Sequence, residues 1–174
     1  MSSFSLDTLI SKSGVIDLSS FCTANVKAFY FSSKWCPACE KFTPILAELY
    51  NRINKGQDQK ELEIIYVSDE ASEQDFQDYY KSMPWLAVPF SNTRATEELQ
   101  ESYQITEIPA LVIVNEYGEV LRMEGAEDVS KNRKKPLKLL QFWNELNSTS
   151  GNKISDLKAK EKRGALKKRC FFWF

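Results

Sequence analysis

The sequence predicts an α/β domain in which a mixed central β-sheet is covered by helices on both faces. Three observations predict it. Residues 26–32 (VKAFYFS) and 62–67 (LEIIYV) are short, nearly continuous apolar runs, the pattern of strands buried on both faces of a parallel sheet. Each run is followed by a segment with helical apolar spacing, which gives a β-α-β-α order. Two further runs, 110–114 and 119–123, flank a turn at Tyr117 and Gly118 and predict a closing antiparallel pair.

Each element has its own signal. Leu6, Leu9 and Ile10 behind Ser5 have cap-then-apolar spacing, so residues 5–11 predict a short helix stopping near Gly14, with residues 15–18 as an edge strand. From Cys36 onward, Phe42, Ile45, Leu46, Leu49, Tyr50 and Ile53 fall at i, i+3, i+4, i+7, i+8 and i+11, one apolar stripe on a helix of about four to five turns. Ser72 followed by Asp75 resembles a capping box, opening a helix with Phe76, Tyr79, Tyr80 and Met83 inward. Leu99 and Tyr103 place a shorter helix over 96–103. Pro136 suits a first helical turn, and Leu139, Leu140, Trp143 and Leu146 supply the inner face of a last helix.

Composition bounds the function. A chain of 174 residues, 43% hydrophobic and 27% charged, can bury a real core as one domain. No charged segment followed by a long apolar run opens it, and nowhere do about 18 apolar residues follow one another. A cytoplasmic, reducing location is the expectation. With no histidine there is no Ser-His-Asp triad, no Cys-His dyad and no imidazole metal ligand. From Lys153 onward, eight basic residues against Asp156 and Glu161 carry +6, leaving −7 on the rest of a chain whose total is −1. The polar stretch NSTSG at 147–151 reads as the divide. The expected organisation is therefore a domain over 1–146, then a linker and a basic, aromatic tail over 147–174.

The chemistry sits at Trp35-Cys36-Pro37-Ala38-Cys39, where a buried strand ends and the clearest helix begins. A sulfur at a helix N-terminus faces unpaired backbone N–H groups and the positive end of the helix dipole, which favours its thiolate. Cys36 is the expected nucleophile. Cys39, nearly one turn further on, is placed to attack a mixed disulfide on Cys36 and so to resolve it. Pro37 gives up only an N–H that would be unpaired anyway and stiffens the loop. Half of a zinc site and a pair of inert core cysteines are the alternatives. Zinc would need four ligands, with only Cys22 and Cys170 left to complete the set, and Cys22 reads as a small core hydrophobe. No metal or cofactor is expected.

Residues 29–44 (FYFSSKWCPACEKFTP) closely resemble the tryparedoxin pattern FYFSASWCPPC followed by FTP, and residues 83–90 (MPWLAVPF) resemble a second block of the same group. The sequence is thus similar to tryparedoxin and nucleoredoxin-type members of the thioredoxin superfamily. The resemblance implies a thioredoxin fold and a thiol–disulfide oxidoreductase. It implies that Pro109 of Ile108-Pro109-Ala110 is cis and faces the dithiol, that Ile108 offers its backbone to an extended substrate, and that Pro44 kinks the helix. The implied site is Cys36 and Cys39, with Trp35, Pro37, Ile108 and Pro109 binding substrate. The implied clients are disulfide-bearing proteins such as peroxidases, and the implied electron donor is a low-molecular-weight dithiol or a flavoprotein reductase; nucleic acid is not expected. A nucleoredoxin-like redox-sensitive binding module is the alternative.

Two departures matter. Ala38 replaces the second proline of the motif, and Tyr30 stands where thioredoxins bury an aspartate that helps deprotonate the resolving cysteine. Another group must then serve Cys39, with water, Asp69 and Glu70 as candidates at the end of a strand. Trp85 and Pro84 read as surface packing beside the site. The ending KKRCFFWF (167–174) joins a basic cluster to interfacial aromatics and a cysteine open to acylation, which suggests reversible contact with an anionic membrane surface.

Overall fold

The computed structural model describes residues 5–160, with side chains over 5–149. In chain order the elements are β1 (Thr8–Ser11), β2 (Gly14–Asp17), α1 (Ser19–Cys22), β3 (Val26–Ser32), α2 (Pro37–Asn54), β4 (Leu62–Ser68), α3 (Glu73–Tyr80), β5 (Leu86–Ala87), α4 (Thr93–Ser102), β6 (Ala110–Val114), β7 (Val120–Arg122), α5 (Gly125–Asn132) and α6 (Pro136–Lys160). The seven strands form one mixed sheet in the order β2-β1-β5-β4-β3-β6-β7. β3 runs parallel to β4 and antiparallel to β6, so the strand that leads into the dithiol lies in the sheet interior.

The pleat of β3 sorts its side chains. Ala28 and Tyr30 join a core with Phe42 and Leu46 of α2, Phe76 of α3, Val129 of α5 and Trp143 of α6. Phe29 and Phe31 face the opposite way, into a second core with Phe21 of α1 and Ala95 and Leu99 of α4. All seven residues of β3 are buried, as a central strand covered on both faces requires. The sequence-derived helices at α2, α3 and α6 and the antiparallel β6–β7 pair are all present.

The N-terminal segment differs from expectation. Thr8–Ser11 is a strand, not part of a helix: it pairs with β2 across a turn at Gly14, whose φ is +122°, and Ile10 pairs with Ala87. Leu6 and Leu9 are buried as their spacing suggests, but the partners that bury them belong to the sheet. At the other end, α6 passes through 147–151, where the sequence suggests a linker. Ser148 and Thr149 donate their hydroxyls to the carbonyls of Asn144 and Glu145, each 2.9 Å away and one turn back, so these polar residues are accommodated within the helix. The basic and aromatic residues at 161–174 lie outside the described residues.

Candidate active site

The dithiol is placed by the junction of β3 and α2. Cys36 is the N-cap of α2, extended at φ −90° and ψ 112°, and its sulfur accepts the Cys39 N–H at 3.3 Å. Pro37 opens the helix, so the cap sulfur takes one of the N–H groups left free there. Inside α2, Pro44 lacks the N–H that would bond the Glu40 carbonyl, and one residue earlier the Thr43 hydroxyl donates to the Cys39 carbonyl at 2.9 Å. Both cysteines are free thiols.

The pair is more enclosed than the sequence suggests. Cys36 is only 7% exposed and Cys39 not at all, so the nucleophile is recessed, though it remains the more accessible sulfur. Its cover includes the loop before β6: the Cys36 thiol donates to the Ile108 carbonyl at 3.7 Å, and the Ile108–Pro109 peptide bond is cis. Trp35 stands out beside it, 62% exposed, with its indole N–H held by the Asp69 carbonyl at 3.0 Å.

Asp69 and Glu70 hold the loop. The Glu70 carboxylate accepts the Lys34 N–H, and the Lys34 ammonium pairs with Asp75 at 2.9 Å near the start of α3. What surrounds Cys39 is neutral. The hydroxyls of Tyr30, Ser32, Thr43 and Tyr79 contact one another there. Burial, and then the Cys36 thiol, push Cys39 up to about 11, against the pull of Ser32 and Ser33. Reading the sequence alone missed Ser32, Thr43 and Tyr79. The available signal was a polar residue closing a buried strand and another on the inner face of the clearest helix. Trp85 corrects a second expectation: it is 1% exposed, packed edge-on against Tyr30 at 5.8 Å and Tyr50 at 5.6 Å, and is core rather than surface.

A family model described as thioredoxin-like matches residues 25–120, which include both cysteines and the cis-proline. The chain belongs to the thioredoxin-like family. Within it, the chain is similar to a tryparedoxin of Trypanosoma brucei brucei, 42% identical over 107 residues that cover 62% of this chain and 72% of the relative. It is also similar to the nucleoredoxin of Mus musculus, 40% identical over 100 residues, 58% of this chain but only 22% of that longer protein. The match thus spans about a fifth of the mouse protein. Among solved structures, a tryparedoxin II complexed with glutathionylspermidine superposes with a TM-score of 0.66 at 32% identity, over 74% of this chain and 88% of its own. As a member of the thioredoxin-like family with tryparedoxin and nucleoredoxin relatives, the chain is a thiol–disulfide oxidoreductase in the broad sense.

Proposed function

We propose that the chain is a tryparedoxin-like protein-disulfide reductase, with Cys36 as nucleophile and Cys39 as resolving thiol. The observation that carries this reading is the setting of Cys36. Its sulfur caps α2, accepts a backbone N–H, and lies 3.7 Å from the Ile108 carbonyl beside a cis-proline, where an extended client backbone can pair. Trp35 and Pro37 form the exposed rim of that surface.

The chemistry runs in two exchanges. The Cys36 thiolate attacks one sulfur of a client disulfide; the client S–S bond breaks, the expelled client sulfur takes up a proton, and a mixed disulfide forms. Cys39 then attacks the Cys36 sulfur, the bond to the client breaks, and a Cys36–Cys39 disulfide is left. Two electrons have passed to the client, of which peroxidases are one class. A low-molecular-weight dithiol or a flavoprotein reductase restores the pair. A cleft of about 320 Å³ next to the Trp35 loop, lined by Asp69, Glu70, Phe90 and Glu97, supports a donor thiol that carries amines, as the glutathionylspermidine of the related complex does.

Insulin reduction driven by dithiothreitol tests the reading. Wild type should accelerate it, Cys36→Ser should not, and Cys39→Ser should hold a client through Cys36 on a non-reducing gel. Equal trapping by the two variants would overturn the assignment of roles, and no acceleration by wild type would end the reductase reading. The nucleoredoxin similarity supports a second reading, a redox-sensitive binding module, in which a partner is retained without turnover. We place the protein in the cytoplasm, with its tail as a reversible tether to anionic membrane. Co-sedimentation with anionic vesicles at low and high salt, comparing the full chain with one ending at Ser150, checks the tether; equal behaviour of the two chains would remove it.

A further inference from the structure

Cys39 is fully buried, and the β3 residue buried behind it is the phenol Tyr30 rather than a carboxylate. Four buried hydroxyls close a ring there. Ser32 donates to the Tyr30 oxygen at 3.0 Å and lies 3.0 Å from the Tyr79 oxygen. The Thr43 oxygen lies 2.8 Å from that of Tyr30 and 2.5 Å from that of Tyr79, and Thr43 also reaches the Cys39 carbonyl at 2.9 Å. Burial raises both phenols above their ordinary value, so neither serves as an anion at neutral pH.

The proton count is what makes the ring useful. Its four hydroxyls bring four protons to five oxygen contacts: four around the ring and one to the Cys39 carbonyl. The Cys39 sulfur, whose thiol Ser32 draws down, is a sixth place for a proton to point. The places always outnumber the hydroxyl protons, so the ring has several arrangements related only by rotation of O–H bonds.

We propose that this ring of Tyr30, Ser32, Thr43 and Tyr79 is the device that lets the buried Cys39 react: Ser32 turns its proton onto the sulfur as the thiolate forms, and Tyr79 and Thr43 re-pair behind it. The inference rests on the dithiol reading above. In the resolving step the Cys39 S–H bond and the bond from Cys36 to the client break. The Cys36–Cys39 bond forms, and the proton ends on the expelled client sulfur. The ring keeps the four protons it began with, so no buried base is required. In this step Ser32 acts on the reacting sulfur itself, and Tyr30, Thr43 and Tyr79 are positioning residues.

A chromogenic aromatic disulfide, dithiobis(nitrobenzoate), separates the two steps on the full chain. Its first thiol is released by Cys36 and its second by Cys39. In Ser32→Ala the first release should stay within about twofold of wild type, while the second slows about tenfold at neutral pH and its pH midpoint moves upward, as loss of one hydrogen bond to a charged sulfur implies. Tyr79→Phe, which keeps the ring volume, should slow only the second release, by about threefold, and Ser32→Thr should restore it. A second release at the wild-type rate in Ser32→Ala would overturn the proposal. So would equal slowing of both steps in Ser32→Ala and Tyr79→Phe, the mark of general distortion. Absence of two releases in wild type would instead defeat the dithiol reading.

Discussion

Beside the dithiol, Tyr30, Ser32, Thr43 and Tyr79 bury neutral hydroxyls in mutual contact; where β7 meets α5 and α6, the molecule instead holds a charged pair with a buried carboxylate and a partly exposed guanidinium. There the Arg122 guanidinium donates two parallel hydrogen bonds of 2.9 Å to Asp128, and the Trp143 indole N–H adds a third at 3.3 Å. The difference is one of freedom. A forked guanidinium–carboxylate contact has one good geometry and holds the elements that meet there, whereas hydroxyls exchange partners by rotating about a single bond. Fixed charge serves the framework, and neutral mobile protons stand where a proton has to move.

The largest effect is expected at the charged pair. Arg122→Ala leaves Asp128 buried without its main partner and should cost about 3 kcal/mol in denaturant unfolding, while both releases from the chromogenic disulfide persist in the folded protein. pH gives the same contrast. Burial pushes the Asp128 carboxyl up, but Arg122 and Trp143 outweigh it and hold the group below its ordinary 3.8. Because the folded value is the lower one, the stabilisation is complete above about pH 4 and is lost as pH falls through the folded value, so wild type should lose more stability in acid than Arg122→Ala.

Gly125 opens α5 next to this pair, and a Cβ there would overlap the Leu111 carbonyl oxygen of the neighbouring strand. Gly125→Ala should cost about 2 kcal/mol through displacement of backbone rather than loss of charge, visible as a lower denaturant midpoint with unchanged acid sensitivity. At the neutral end the effect is smaller. Thr43→Val removes one rotor while Ser32 still bonds both phenols, so it should cost about 1 kcal/mol and slow only the second release.

The smallest effect belongs to neither cluster and calibrates both. Gln104 follows α4 with φ +51°, a left-handed conformation at which its N–H bonds the Glu101 carbonyl at 3.0 Å. Gln104→Gly should stabilise by about 0.5 kcal/mol with both releases unchanged. A loss of stability there would mean that the Gln104 side chain contributes more than its backbone strain costs.

Much of the framework was legible because it is local. β3 and β4 announce themselves as apolar runs, α2 by six apolar residues on one stripe, and α3 by Ser72, whose hydroxyl accepts the Asp75 N–H at 3.1 Å as the capping pattern implies. The position of Cys36 and Cys39 follows from the same local logic, since a strand separated by two residues from a helix-opening Trp-Cys-Pro fixes which sulfur caps the helix. Leu6, Leu9 and Ile10 show the limit: their spacing fits a helix, yet β1 forms because β2 and Ala87 are there to pair with it.

Sequence by itself determined the order of the main elements, the buried strands, the helix under the dithiol and the identity of the two sulfurs, because each is written in residues within a turn or a strand of one another. Tertiary structure alone decided that Trp85 is core, that Cys36 is recessed beneath Ile108, and that Tyr30, Ser32, Thr43 and Tyr79 meet behind Cys39. Those four hydroxyls come from β3, α2 and α3, and no periodicity along the chain relates positions 30, 43 and 79. Their meeting is set by how two helices lie on one face of the sheet, and packing of that kind has no local signature.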